Sequence, residues 1–215
     1  MKRIELIQGS DKWLEHKHTK IGGTAASGLF VKSDTLLIDY VGRFSEDYEP
    51  DDSFQSAAML RGTELEPLAI EALEKYTQLK FNSVGWLQCE EIEILGISPD
   101  GITDDDKFAC EVKCFGRKKH TEIILSNEIP KENLHQLIHY FTVNPKLEKL
   151  YFGSFRPENK IKPLFVKELS RDSLVNLGTV ARPKMVMISD AVLMAKEAAK
   201  QLEIEIEQSI NNLKF

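Results

Sequence analysis

The chain has little of what would place it in a membrane or a secretory route. No run of about 18 apolar residues exists, so no transmembrane helix is expected. The opening Met1-Lys2-Arg3-Ile4-Glu5-Leu6 lacks the apolar stretch of a secretory signal. Cysteine is scarce and odd in number. Cys89, Cys110 and Cys114 cannot form a disulfide framework or supply the four thiolates of an iron–sulfur cluster. They are expected to be reduced core residues of a cytoplasmic protein. Positive charge is also in deficit. The net charge of −6 argues against a nonspecific nucleic-acid coat. Base is gathered locally, however, in Lys12 to Lys20 and in Arg117-Lys118-Lys119-His120, while acid collects in Ser45 to Asp52 and in the last thirty residues. An acidic exterior with local basic patches can hold a phosphate backbone while discouraging promiscuous binding.

What is present is enough apolar sequence for one sizeable core: 42% of 215 residues. A single domain over 1–215 is expected, of α/β (α+β) class, with a central mixed sheet flanked by helices. Ser10 or Asp11 can cap a short helix carrying Trp13, which Gly22-Gly23 breaks, and Thr24 caps a second apolar segment, Ala25 to Phe30. Residues 45 to 54 read as an exposed acidic loop. Ala57 to Tyr76 reads as a helix with Leu60, Leu65, Leu68, Ala69, Ala72, Leu73 and Tyr76 supplying its apolar positions, and with Pro67 in its first turn or at a break. A β section follows from Phe81 to Phe115. A short helix is expected near 121–126 and another from Pro130 to Val143. Leu150–Phe155 and Ile161–Leu169 read as strands, and Met185 to Leu213 as a long helix. Its stripe of Ile188, Val192, Ala195, Ala199, Leu202, Ile206 and Ile210 is a core-facing or subunit-facing seam.

The most informative stretch is Ser98-Pro99-Asp100-Gly101, followed eleven residues after Asp100 by Glu111-Val112-Lys113. Ile92 to Ile102 reads as one strand, Asp104-Asp105-Asp106 as a polar turn, and Phe108 to Phe115 as the returning strand. Such a hairpin sets Asp100 level with position 110 or 111. Alternation puts Phe108, Cys110, Val112 and Cys114 on one face and Glu111 with Lys113 on the other. Two carboxylates and an ammonium on one surface suit a hard divalent cation and a phosphate, with Asp100 and Glu111 as ligands and the Val112 carbonyl as a further oxygen. Lys113 would stand beside the attacking water. The alternative is a solvated cross-strand Glu–Lys pair.

Other candidates are read the same way. Glu66, at a helix start, can point into the site, although favourable charge–dipole placement explains it equally. His135 and His139 resemble a zinc-binding His-Glu-x-x-His helix, but Gln136 stands where the general base belongs, and no third ligand follows. Gln136 and Tyr140 share a helix face and can position a water, a carboxylate or a phosphate. Trp13, Lys17, Lys20 and the Gly22-Gly23-Thr24 turn form either an anion pocket or a capped, solvated surface helix.

The ordered set Trp13-x3-Lys17, Ile21-Gly22-Gly23-Thr24, Arg61-Gly62-Thr63-Glu64-Leu65-Glu66, Ser98-Pro99-Asp100-Gly101, Glu111-Val112-Lys113 and Gln136-x3-Tyr140 resembles the YqaJ-like viral recombinase nucleases, which include phage lambda exonuclease. It spans residues 13 to 140. The resemblance implies a restriction-endonuclease-like core and processive, Mg2+-dependent 5′→3′ digestion of one strand of duplex DNA, leaving 3′ single-stranded overhangs. Mn2+ is expected to substitute. It implies Asp100, Glu111, Val112 and Glu66 around the metal, Lys113 as catalytic lysine, Gln136 in support, and Lys17, Thr24 and Tyr140 toward the DNA and its 5′-phosphate. Lys17 departs from the family's usual arginine and lacks its bidentate fork. The resemblance also implies a trimeric ring, double-stranded DNA ends as substrate and a single-strand annealing protein as partner. The competing readings are a RecB-like repair nuclease or endonuclease of the same core, and a catalytically silent DNA-binding protein.

Overall fold

The computed structural model describes residues 1–31, 34–50, 56–179 and 181–214. Its centre is a four-stranded sheet in the order β4 (Gly101–Ile102), β5 (Phe108–Lys113), β6 (Lys149–Phe155) and β7 (Leu164–Leu169). β5 and β6 run parallel, and the other two pairings are antiparallel. A parallel neighbour cannot be reached by a tight turn, so the chain crosses over through α4 (Arg117–Ser126) and α5 (Lys131–Val143). A smaller antiparallel sheet joins β1 (Lys2–Ile4), β2 (Trp86–Gln88) and β3 (Gly96–Ile97).

Two apolar clusters cover the faces of the central sheet. On one side α3 (Ala57–Thr77) sets Ala69 and Leu73 against Cys110, Val112 and Tyr151. On the other, Leu137 and Phe141 of α5 meet Ala109, Phe152 and Phe165, and α6 (Ile188–Leu213) packs behind them through Ile188, Ala195 and Leu202. The mixed sheet flanked by helices matches the expectation from sequence, and the α6 stripe faces the core. β8 (Leu174–Asn176) and β9 (Met185–Met187) form a separate hairpin. β9 takes the first three residues expected in the final helix.

Several expectations need correction. Ile92 to Ile102 is not one strand. β3 pairs with β2 and β4 pairs with β5, and the chain passes from one sheet to the other through Pro99-Asp100. Proline has no N–H to continue a ladder, which is why the strand divides there. α3 runs unbroken through Pro67, so Glu66 lies in mid-helix rather than in a first turn, and Leu60, Leu68 and Tyr76 are exposed. α4 begins at Arg117, so the basic run is its first turn and not a separate connection. α2 (Thr35–Ser45) was not expected, and part of the acidic loop, residues 51–54, lies outside the described residues. Ser10 caps α1 (Asp11–His18) by accepting from Trp13 N–H at 3.3 Å. Thr24 has helical backbone angles and caps nothing with its hydroxyl.

The last α5 histidine is structural. His139 is buried, and its Nε2 lies 3.0 Å from the Ile21 carbonyl and 2.9 Å from the Gly96 carbonyl. It ties α5 to the small sheet as a neutral imidazole. Burial pushes its pKa down to about 4, against an ordinary 6.5. The unfolded chain therefore takes up this proton first, and the stability His139 contributes is lost as pH falls from about 6.5 toward 4. The loss should approach roughly 3 kcal/mol. Urea melts across that window should show it, and His139→Leu should flatten the slope while lowering stability at neutral pH.

Candidate active site

The β4–β5 hairpin aligns the acidic residues by register. Gly101 pairs with Cys110, so Asp100, one step back, falls opposite Glu111. The turn between them is held by Asp105, whose Oδ1 accepts from Thr103 Oγ1 at 2.6 Å and from Lys107 N–H at 3.1 Å. Asp100 Oδ2 accepts from Val112 N–H at 2.7 Å, which fixes the carboxylate against β5.

Glu111 is 1% exposed and faces α5. A bare carboxylate there would cost several kcal/mol. Three donors offset that cost. Gln136 Nε2 donates to Oε1 at 2.8 Å, Lys113 Nζ donates to the same oxygen, and Tyr140 Oη donates to Oε2 at 2.5 Å. The i, i+4 spacing of Gln136 and Tyr140 puts both on the α5 face that meets β5. Tyr140 is itself buried, so its hydroxyl orients the glutamate rather than facing a substrate.

The charges do not balance. Burial, and then the Glu111 charge, raise the Asp100 pKa well above the ordinary carboxyl value. The same two causes, in the same order, raise Glu66, which reaches the site from α3. Burial alone would lower Lys113, but Glu111 and Asp100 outweigh it and hold the ammonium above the usual lysine value. Three carboxyl groups thus share one ammonium, and a divalent cation fits that surplus. Among the described residues no cluster of three His, Cys, Asp or Glu forms a ready cage. Mg2+ needs none, because one or two carboxylates with water and substrate phosphate complete its shell.

Beside this site lies a cleft of about 380 Å³ lined by Trp13, Lys17, Lys20, Thr24, Arg43 and Gln136. Lys17 Nζ stands 4.1 Å over the Trp13 ring. Burial and then the neighbouring Arg43 charge lower its pKa, and among the described residues it makes no ion pair. A half-buried ammonium beside a guanidinium attracts an anion. Trp13 Nε1 donates to Ser98 Oγ at 2.8 Å, which anchors the cleft to the Ser98-Pro99-Asp100 turn. Gly23 lies against Gln136, and a Cβ there would come within 2.8 Å of Gln136 Cγ. Arg43 was not anticipated because α2 was not. The apolar spacing of Leu36, Leu37, Tyr40 and Val41 was the available signal. The histidine pair is no metal site, since His135 stacks on Phe30 at 4.8 Å while His139 bonds the two carbonyls.

The raised carboxyls predict a pH-dependent response to metal. Their folded pKa values exceed the unfolded ones, so the stability they contribute is present at acid pH and lost as pH rises through the folded values. Mg2+ should therefore raise Tm more at pH 8 than at pH 5 in thermal melts. Asp100→Asn should relieve the repulsion and stabilise the metal-free protein at pH 8 by about 1 kcal/mol, or about 2–4 °C. It should also diminish the Mg2+ response.

Residues 12–146 match the YqaJ-like viral recombinase domain. Among solved structures, the chain is similar to an alkaline exonuclease from Laribacter hongkongensis, with a TM-score of 0.77, 21% identity, and coverage of 95% of this chain and 96% of that one. The same enzyme in complex with dAMP gives 0.76 at 21% identity over 95% and 96% of the two chains. No curated protein matches the chain significantly. That likeness gives the restriction-endonuclease-like fold, and the match over residues 12–146 places the chain in the YqaJ-like viral recombinase family.

Proposed function

We propose that this chain, a deoxyribonuclease by family, digests linear duplex DNA from its 5′ ends in a Mg2+-dependent reaction that leaves 3′ single-stranded overhangs for recombination. The observation that carries the reading is the buried Glu111 carboxylate, aimed by Gln136 and Tyr140 beside Asp100 and Lys113. Asp100, Glu111 and the Val112 carbonyl would hold the cation, with Glu66 as a further or water-bridged ligand. When bound, Mg2+ or Mn2+ supplies Lewis-acid activation of water and charge neutralisation at the phosphate. Lys113 keeps its proton, places positive charge beside the scissile phosphate and orients the attacking water. Gln136 holds Glu111, and the Val112 N–H holds Asp100 against β5.

Lys17, Thr24 and Arg43 would receive the terminal 5′-phosphate in the neighbouring cleft. Arg43 adds a planar guanidinium beside Lys17, with its Nε donating to Asp39 Oδ2 at 3.0 Å and its Nη1 to the His18 carbonyl at 3.1 Å. Thr24 is exposed at the rim with its hydroxyl uncommitted to a helix cap. By resemblance, the proposal extends to one nuclease domain over 1–215, a trimeric ring, a single-strand annealing partner and the cytoplasm of a bacterial host. Among the described residues no helix is long and apolar enough to cross a membrane.

Linear duplexes labelled separately at each 5′ and 3′ end test polarity and catalysis together. Label should be released from 5′ ends first, and covalently closed circles should survive. Lys113→Ala should lower the rate about 100- to 1000-fold with DNA binding retained. Undiminished digestion by that variant would remove the mechanism. Substrates lacking the 5′-phosphate should be cut several-fold more slowly, and Lys17→Ala should erase the difference. Equal rates on both kinds of end with the wild-type protein would reject the phosphate assignment.

A further inference from the structure

Arg61, in the Arg61–Glu66 run, plays no part in the chemistry above, yet it is not idle. Its Nη2 donates to Glu158 Oε2 at 3.0 Å. Arg156 Nε approaches the same oxygen at 3.8 Å, while Arg156 Nη1 lies 3.4 Å from the Phe115 carbonyl. One carboxylate oxygen thus faces two guanidiniums, and Phe115 is only two residues beyond Lys113. The Arg61 charge is felt at Cys114 as well, although burial still pushes that thiol up to about 11. Arg117 and Lys118 follow at the start of α4. Both are exposed, and neither makes an ion pair among the described residues.

The loop carrying Glu158 is fixed. Arg156 N–H donates to the Pro163 carbonyl at 2.8 Å, and Asn159 Oδ1 accepts from the Ile161 and Lys162 amides at 3.1 and 3.0 Å. His120, fully buried on α4, reaches Ser154 Oγ at 2.8 Å and the Lys162 carbonyl at 2.9 Å. The two arginines are therefore held in one place from α3 and from the β6–β7 loop. Glu158 is about half exposed, its side chain 53% accessible, and exposed ion pairs of this kind are weak. A guanidinium pair prefers the multiple oxygens of a phosphate, which it can grip bidentately.

We propose that Arg61 and Arg156 form a clamp for a backbone phosphodiester of the duplex, and that Glu158 occupies the clamp as an internal stand-in until DNA displaces it. The clamp rests on the nuclease reading, because its ligand is the substrate of that site. It extends the basic rim to Arg117 and Lys118 and gives the acidic chain a second place to hold DNA, apart from the Lys17 cleft.

Binding of a short linear duplex to the full-length protein in EDTA, titrated with salt, tests the clamp without hydrolysis. Arg61→Ala and Arg156→Ala should each flatten the slope of log K against log salt by about 0.9, whereas Arg61→Lys should leave the slope near wild type. Glu158→Gln should tighten binding about fivefold, the change that accompanies loss of a weak competing ion pair. Should an alanine variant fail to fold, Glu158→Gln decides by the same affinity criterion. Unchanged or weaker binding by Glu158→Gln, or unchanged slopes in folded arginine variants, overturns the clamp and leaves the nuclease reading standing. Failure of the wild-type protein to bind any duplex overturns both.

Discussion

The buried Glu111 carboxylate is the constraint around which the rest is arranged. A charge at that depth is tolerable only if donors arrive from more than one element, and they do: Lys113 from its own strand, Gln136 and Tyr140 from α5. The packing of α5 on β5 is therefore an electrostatic contact as well as an apolar one. Leu137 and Phe141 bury the helix, while the two polar residues set its rotation. Removing one donor leaves the carboxylate underpaired, and such losses cost more than the donor contributed while present. The same depth raises Tyr140 well above an ordinary phenol, through burial and then Glu111, so it remains a proton donor at any working pH.

Much of this was legible in the sequence, for a definite reason. Alternation along a strand and i, i+4 spacing along a helix are short-range rules, and Glu111, Lys113, Gln136 and Tyr140 obey them in segments whose type is unambiguous. The convergence of Asp100 followed from the length of the turn. What was not legible depended on tertiary context. Proline at 67 normally ends or opens a helix, but α3 continues through it with Ala69 and Leu73 buried against the sheet. Ile92 to Ile102 carries strand-forming isoleucines at 92, 94, 97 and 102, but Ser98-Pro99-Asp100-Gly101 interrupts them, and only the tertiary pairing sets which sheet each side joins. The resemblance sets Tyr140 toward the DNA, whereas its helical spacing shows only which face it occupies, not how deeply that face is covered. Arg43 is harder to read because α2, despite the apolar spacing of Leu36, Leu37, Tyr40 and Val41, sits next to a heavily charged stretch that reads as loop.

The charge distribution separates two kinds of basic residue. Several lysines are paired on the surface, as Lys75 with Glu71 or Lys149 with Glu168, and such pairs contribute little. Lys17 is different. It lies over an indole, beside Arg43, in a cleft that opens toward Gln136. An acidic protein that keeps a lysine out of ion pairs in a cleft binds anions where shape also fits, and its net charge repels them elsewhere. That combination suits recognition of an end better than a coat along a duplex.

Gly23 links the two halves of the proposed site. It stands between Thr24, at the mouth of the cleft, and Gln136, whose amide holds Glu111. The contact is so close that a single methyl group at position 23 would have to displace the Gln136 stem. A shift of that stem moves the amide off the carboxylate oxygen, and hydrogen bonds weaken steeply with such misalignment. Gln136 both lines the cleft and holds the Glu111 carboxylate, so the cleft and the carboxylate that would hold the metal share one side chain. On the proposed reading, a seated 5′ end and a correctly aimed Glu111 are parts of one packed arrangement. A side chain at position 23 would then have to move Gln136, for a reason that is neither turn geometry nor backbone strain.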